Sequence, residues 1–135
     1  MSVTNFFKNL GAPLKNSRWS WGGVRGTDGA VFLRVWQDRK FIEDKAMFMM
    51  LTHHEKYADD SQNLGYQERL AHVRLVENGA DCFMIMCLAD DPEASPRKIK
   101  SYNSKELFVG GELREKDGDV WIRVERRIPV AEMDL

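Results

Sequence analysis

The run Cys82-Phe-Met-Ile-Met-Cys-Leu-Ala89 carries no charge, no proline and no glycine. An uninterrupted apolar stretch of strand length is what a β-strand buried on both faces looks like, so this segment is expected at the centre of a sheet and not at a solvated edge. Just upstream, Tyr66, Leu70, Val73 and Val76 recur at helical spacing, and Gly79 stands where a left-handed helix end belongs. The spacing predicts a helix over 66–78 that begins at Asn63 or Gly65, with Glu68 supporting its first turn. A helix feeding a buried strand makes the chain a mixture of α and β.

The rest of the pattern fills in around that pair. Thr4–Leu10 reads as a short helix capped by Thr4, with Phe6, Phe7 and Leu10 as its apolar face and Gly11 as its stop. Two strands, Trp19–Arg25 and Ala30–Trp36, flank Gly26-Thr-Asp-Gly29, a strong hairpin signal. In the second, Val31, Leu33 and Val35 share one face and Phe32, Arg34 and Trp36 the other, so both faces are expected to be covered in part. Residues 37–44 read as a polar link, Ala46–Thr52 as a methionine-rich strand, and His53–Asn63 as a long polar loop of the kind that often carries function. Past the buried run come a proline-containing turn over 90–96 and a short extended segment over 98–103. Gly110-Gly111 marks a bend or bulge, and a last hairpin crosses Lys116-Asp-Gly-Asp119. The expected architecture is one α+β domain over residues 1–135, a small, strongly bent mixed β-sheet or open barrel with two flanking helices.

A length of 135 residues suits one domain, and 43% hydrophobic with 30% charged residues is an ordinary globular balance. The net charge of −1 supplies no overall field to draw the chain onto a polyanion or a membrane, so anion binding must come from a local patch. The longest apolar run is too short for a bilayer, and the amino-terminal residues lack a secretory pattern, so the expectation is a cytoplasmic protein with no membrane partner. Cys82 and Cys87, five apart, fall on opposite faces of a strand and read as reduced, buried thiols. The pattern implies no cofactor and sets no oligomeric state.

Two segments can carry chemistry. Arg18-Trp-Ser-Trp-Gly-Gly23 puts Trp19 and Trp21 on one side of the expected strand and Ser20 on the other, beside glycines that permit close approach. Two indole faces can stack a base or hold a cation, and they can equally be core. Ser95–Lys105 gathers Arg97, Lys98, Lys100 and Lys105 with hydroxyls, Tyr102 and Asn103. Those residue types hold phosphates, stack on bases and read base edges, and the same composition also makes a solvated loop. His53, His54 and His72, with Asp59 and Asp60, invite a metal, but their spacing matches no ligand pattern and no metal site is assigned. Asp28, Glu43 and Lys45 could build a metal-dependent nuclease centre, although an Asp-Gly pair is also plain turn chemistry. No serine-histidine-aspartate order, phosphate loop or dinucleotide fingerprint is present, and no catalytic residue is assigned.

The opening Arg18-Trp-Ser-Trp-Gly22, followed by Val31-Phe-Leu-Arg-Val-Trp-Gln-Asp38, looks like short bacterial proteins. With the helix ending Val76-Glu-Asn-Gly79, the apolar strand from Cys82, the basic Lys98-Ile-Lys-Ser-Tyr102 and a final hairpin, the order resembles PUA-like domains, the superfamily of the EVE, YTH and SRA modified-base readers. That resemblance implies a small bent β-barrel with flanking helices and an aromatic-lined pocket for a flipped base. The chemistry of the residues then names the parts. Trp19, Trp21, Trp36 and Tyr102 are candidate stacking walls. Ser20, Asp38 and Asn103 are candidate edge readers, Asp38 by accepting from a cytosine amino group. Arg18, Arg97, Lys98 and Lys100 would hold phosphates of DNA or RNA. Two other readings stand beside this one: the metal-dependent nuclease, and a protein-interaction module with no nucleic-acid role. The base-reading expectation requires the Trp19/Trp21 segment and the 97–105 segment to meet around one concave pocket.

Overall fold

The computed structural model describes residues 2–57, 63–94 and 97–133. The elements run α1 (Val3–Asn9), β1 (Gly22–Val24), β2 (Val31–Trp36), β3 (Lys40–Glu43), β4 (Ala46–Met50), a single turn α2 (His54–Tyr57) and α3 (Leu64–Glu77). They continue with β5 (Cys82–Ala89), β6 (Ile99–Tyr102), β7 (Glu106–Lys116), β8 (Asp119–Pro129) and a 3₁₀ turn over Val130–Glu132. The strands form one mixed sheet in the order β1-β2-β5-β7-β8-β4-β3, with β6 also paired to β5. This is the expected α+β class, and the sheet is not closed.

The apolar run is the interior strand. β5 pairs in parallel with β2, from Val31 opposite Cys82 to Trp36 opposite Cys87. On its other side it meets β7 and then β6, both antiparallel. Alternation along β2 and β5 splits the core in two. Val31, Leu33, Val35, Cys82 and Met84 pack with Met49, Leu51, Ile122 and α3's Val73 on one face. Phe32, Ile85 and Cys87 pack with α1's Phe6, Phe7 and Leu10 on the other. The two cysteines therefore lie in different halves of the core, both free and buried.

Connectivity forces the sheet to curl. β2 and β3 stand five places apart in strand order but are joined by residues 37–39 alone. Strands spaced about 4.8 Å apart would hold them about 24 Å from each other in a flat sheet. The link from Trp36 to Lys40 reaches about 15 Å at most. The sheet must bend back on itself, and β2 and β4 approach without pairing. A seam is left between them.

Local chemistry departs from the sequence pattern at four places. The cap of α1 is Ser2, whose Oγ accepts from the Asn5 N–H at 3.1 Å, because the helix starts a residue before Thr4. Residues 17–19 turn instead of extending: Asn16 Oδ1 accepts from the Arg18 N–H and the Asn16 carbonyl from the Ser20 N–H, so Trp19 and Trp21 do not flank one strand. The polar link is half strand, since Asp44 and Lys45 take positive φ (51° and 68°) and close a tight β3–β4 hairpin without a glycine. The expected 53–63 loop holds the turn α2, and Ala58–Gln62 lie outside the described residues, as do Ser95 and Pro96. The other signals match. Asn63 caps α3 by accepting from the Tyr66 N–H, Gly79 sits at φ +106°, Asp117-Gly118 turns the last hairpin, and the β7–β8 register shifts at Gly110.

One buried group of α3 makes stability depend on pH. His72 is buried, its Nδ1 lacks a hydrogen-bond partner among the described residues, and burial, then the Arg69 charge, lowers its pKa from 6.5 to about 4. The unfolded chain therefore takes up a proton at a higher pH than the folded one does. Stability falls as pH drops from 6.5 towards about 4 and levels off below that, by roughly 2–3 kcal/mol if His72 acts alone. Urea unfolding at pH 7 and pH 4.5 should register that loss, and His72→Gln should flatten it.

Candidate functional site

At the seam lies a cavity of about 110 Å³. Its apolar walls are Trp21, Trp36, Tyr57 and Tyr66, and its charged groups are Arg34, Arg39, Arg69 and Arg97. The elements that deliver them are distant in sequence: the approach to β1, the end of β2 and its link, α2, α3, and the segment leading into β6.

Arg69 is the innermost group. It projects from the apolar side of α3, 5% exposed, and its guanidinium spans the seam. Nη1 donates to the Leu51 carbonyl at 3.1 Å, and Nη2 donates to those of Arg34 at 2.6 Å and Trp21 at 3.3 Å. Its Nε has no partner among the described residues. Desolvation, then the neighbouring Arg34 charge, lowers its pKa to about 10, which leaves it a cation at neutral pH. It also sits 5.9 Å from the centre of the Trp21 ring. Burial likewise lowers the pKa of Arg34 and of Arg39, the latter also through Arg97. The three shifts have one physical origin: cations are held in a dry concavity beside one another.

The aromatic wall is continuous. Tyr57 stacks on Tyr66 at 4.9 Å, and Trp21 tilts against both, at 5.3 and 6.3 Å between ring centres. Gly65 lets this wall meet the helix, since a Cβ there would lie 2.5 Å from both the Trp19 carbonyl oxygen and Trp21 Nε1. On the opposite side Arg97 lies over Trp36 at 5.3 Å. It grips Asp38 with both terminal nitrogens, at 2.7 and 2.8 Å, and its Nε donates to the Pro92 carbonyl. That clamp ties the segment before β6 to the 37–39 link and holds the Asp38 carboxyl below its usual range.

Of the residues expected to form a site, the structure brings Trp21, Trp36 and Arg97 to one cavity. Asp38 stands at its edge, both oxygens engaged by Arg97, and is no free acceptor for a base amino group. Ser20 is buried, donates to Glu68 and accepts from the Asn16 N–H, so it faces away. Arg18 and Trp19 lie at the 17–19 turn. Asn103 Oδ1 accepts from the Lys105 and Glu106 N–H groups and starts β7. Tyr102 packs on Phe6 and, with Lys100, lines a separate shallow groove beside Val3; Lys98 is exposed. The nuclease residues do not assemble. Arg25 holds Asp28 and lowers its pKa to about 2, Arg114 pairs with Glu43, and Lys45 lies in the β3–β4 turn. Among the described residues, no group of three or more His, Cys, Asp or Glu is placed to hold a metal ion. No helix is long and apolar enough to cross a membrane.

Arg34, Arg39, Tyr57, Tyr66 and Arg69 were missed as site residues. One signal for Arg69 was in plain sight, a cation three residues from Tyr66 and four from Val73, on the stripe that the helix must bury. No protein-family model, curated protein or solved structure matches the chain.

Two substitutions test the geometry. Arg69→Met strands three buried carbonyls and should cost about 3 kcal/mol or more in urea unfolding, with Arg69→Lys recovering only part, because one ammonium cannot span three acceptors. Gly65→Ala should cost about 1–3 kcal/mol by overpacking α3 against Trp21, and it should change tryptophan fluorescence in the folded state.

Proposed function

We propose that the chain is a nucleic-acid-binding module that takes one flipped or modified base of DNA or RNA into the Trp21/Trp36 pocket and does not cleave it. The observation that carries this reading is the joining of aromatic walls and arginines in a single cavity. A base needs a flat apolar surface to replace the stacking it leaves, and its flanking phosphates need cations at the mouth. A cavity of about 150 Å³ holds a benzene, so about 110 Å³ is the scale of a single ring. The likeness to PUA-like domains implies a small bent β-barrel with flanking helices, and this sheet is curled but not closed. On this reading Trp21 and Trp36 stack, Arg97 holds its wall in place through Asp38, and the exposed Lys98 meets the backbone at the mouth. The same reading takes the protein as cytoplasmic, where two free thiols stay reduced.

The test is anisotropy with labelled single- and double-stranded oligonucleotides across a salt series, with and without magnesium. Binding without cleavage is the expected outcome. Trp21→Ala should weaken it by about 1–3 kcal/mol through lost stacking. Lys98→Ala should weaken all sequences alike and lower the salt slope by about one. Magnesium-dependent cleavage would move the protein to the nuclease class, and no binding at low salt would leave an interaction module with no nucleic-acid role.

A further inference from the structure

The polar groups of the pocket are unevenly matched to the edges of the four bases. Guanidinium groups only donate, and four of them line the cavity while, among the described residues, no Asp or Glu does. The backbone acceptors nearby are already used. The carbonyls of Trp21, Arg34 and Leu51 serve Arg69, that of Trp36 accepts from the Arg39 N–H, and that of Cys87 from the Gln37 N–H. The Thr52 hydroxyl donates to Asp119 and accepts from the Val120 N–H. Asp38, the nearest carboxylate in the link, is closed off by Arg97. Arg34 stands out because it lines the cavity beside the Arg69 charge and its guanidinium makes no hydrogen bond or ion pair among the described residues, the Glu68 carboxylate acting on it only through space.

A buried cation without an acceptor is costly, and a second one beside it more so, unless a ligand brings the acceptors. We propose that the pocket selects an acceptor-bearing planar ring, a pyrimidine carrying a carboxylate or exocyclic oxygens, over the amino-bearing edge of cytosine or adenine, and that Arg34 is the residue that makes the choice. The ring stacks against the Trp21 side while Arg34 donates in the ring plane, with Arg39 as the second donor. A cytosine amino group set against the Arg34 guanidinium would leave it without an acceptor, a mismatch that favours discrimination, whereas Arg39 keeps its hydrogen bond to Tyr57. This inference rests on the base-reading function above, but the two can fail separately.

The experiment has a small-molecule arm and an oligonucleotide arm. Isothermal titration compares orotate, uracil and cytosine on the intact protein. Anisotropy compares oligonucleotides that differ at one central base, 5-carboxyuracil, thymine or cytosine. The expected order is carboxylated ring, then oxo ring, then amino ring, with orotate about tenfold or more ahead of cytosine, the range of a charge-assisted hydrogen bond. Arg34→Met should remove most of that margin while leaving thermal stability close to unchanged, since the Arg34 guanidinium makes no hydrogen bond among the described residues and its repulsion of Arg69 offsets the pull of Glu68. Arg34→Lys should restore part of the margin. If Arg34→Met fails to fold, Arg39→Gln takes its place and should narrow the margin less. Orotate preference that depends on Arg34, with no oligonucleotide binding, would uphold the edge selection and overturn base reading. Oligonucleotide binding that is indifferent to the central base, or favours cytosine, would overturn the edge selection alone. Preference for orotate that survives Arg34→Met would also overturn it.

Discussion

The Arg69 guanidinium does what a ninth strand would do. At the seam the carbonyls of Trp21, Arg34 and Leu51 come from the approach to β1, from β2 and from the end of β4, and in a closed barrel a neighbouring strand would satisfy them. Here the sheet stops, and one side chain from α3 supplies the donors. Arginine suits the task because its five donors lie in a fixed plane and remain charged when dry. An arginine there can close a barrel that backbone pairing leaves open, and it brings a positive charge to the same place. Structure and candidate chemistry thus share one group.

The seam exists because of chain connectivity. A three-residue link between strands that are five places apart pulls the sheet round, but it pulls from one end only, at Trp36 and Lys40. The link is then pinned by Arg97 gripping Asp38. Trp36 ends up beneath Arg97, and β2 and β4 face each other with side chains between them where hydrogen bonds would otherwise run. The pocket is what remains of an incomplete closure, so its shape follows from link length as much as from its lining.

Much of the frame was legible because it is local. The apolar run from Cys82, the glycines at positions 11 and 79 and the Asp117-Gly118 turn each state their conformation within a few residues. The β3–β4 hairpin was not legible, because Asp44 and Lys45 adopt positive φ under the pull of the ladder and not by their own preference. A smaller part of the candidate site was legible in the same sense. Trp21, Trp36 and Arg97 were readable as residue types suited to a base, but of the Trp19/Trp21 segment and the 97–105 segment expected to meet, only Trp21 and Arg97 line the cavity. Trp19 was misplaced by an Asn16 turn that breaks the strand pattern two residues early. Lys100, Tyr102 and Asn103 follow Arg97 in sequence but diverge from it in space, since β6 carries them to the α1 side. Tyr57, Tyr66, Arg34 and Arg39 join the site only through the curl, which nothing short of the strand order reveals.

The distribution of charge is the feature on which the proposed binding function rests. A net charge of −1 conceals four arginines drawn into one cavity, one of them, Arg97, paired with Asp38 at its edge. Stability alone accounts for two: Arg69 closes the seam, and Arg97 clamps the link. It accounts less well for Arg34, which is buried beside Arg69 at an electrostatic cost to Arg69, has only the through-space pull of Glu68 and Cys87 in its favour, and makes no guanidinium hydrogen bond among the described residues. Sites that accept such a cost are characteristically those that await charge from outside. The same arrangement explains why the whole molecule need not be basic. Where affinity comes from a dry pocket and not from a track of phosphate contacts, few counterions are released on binding, and the cations are needed only where the ligand enters.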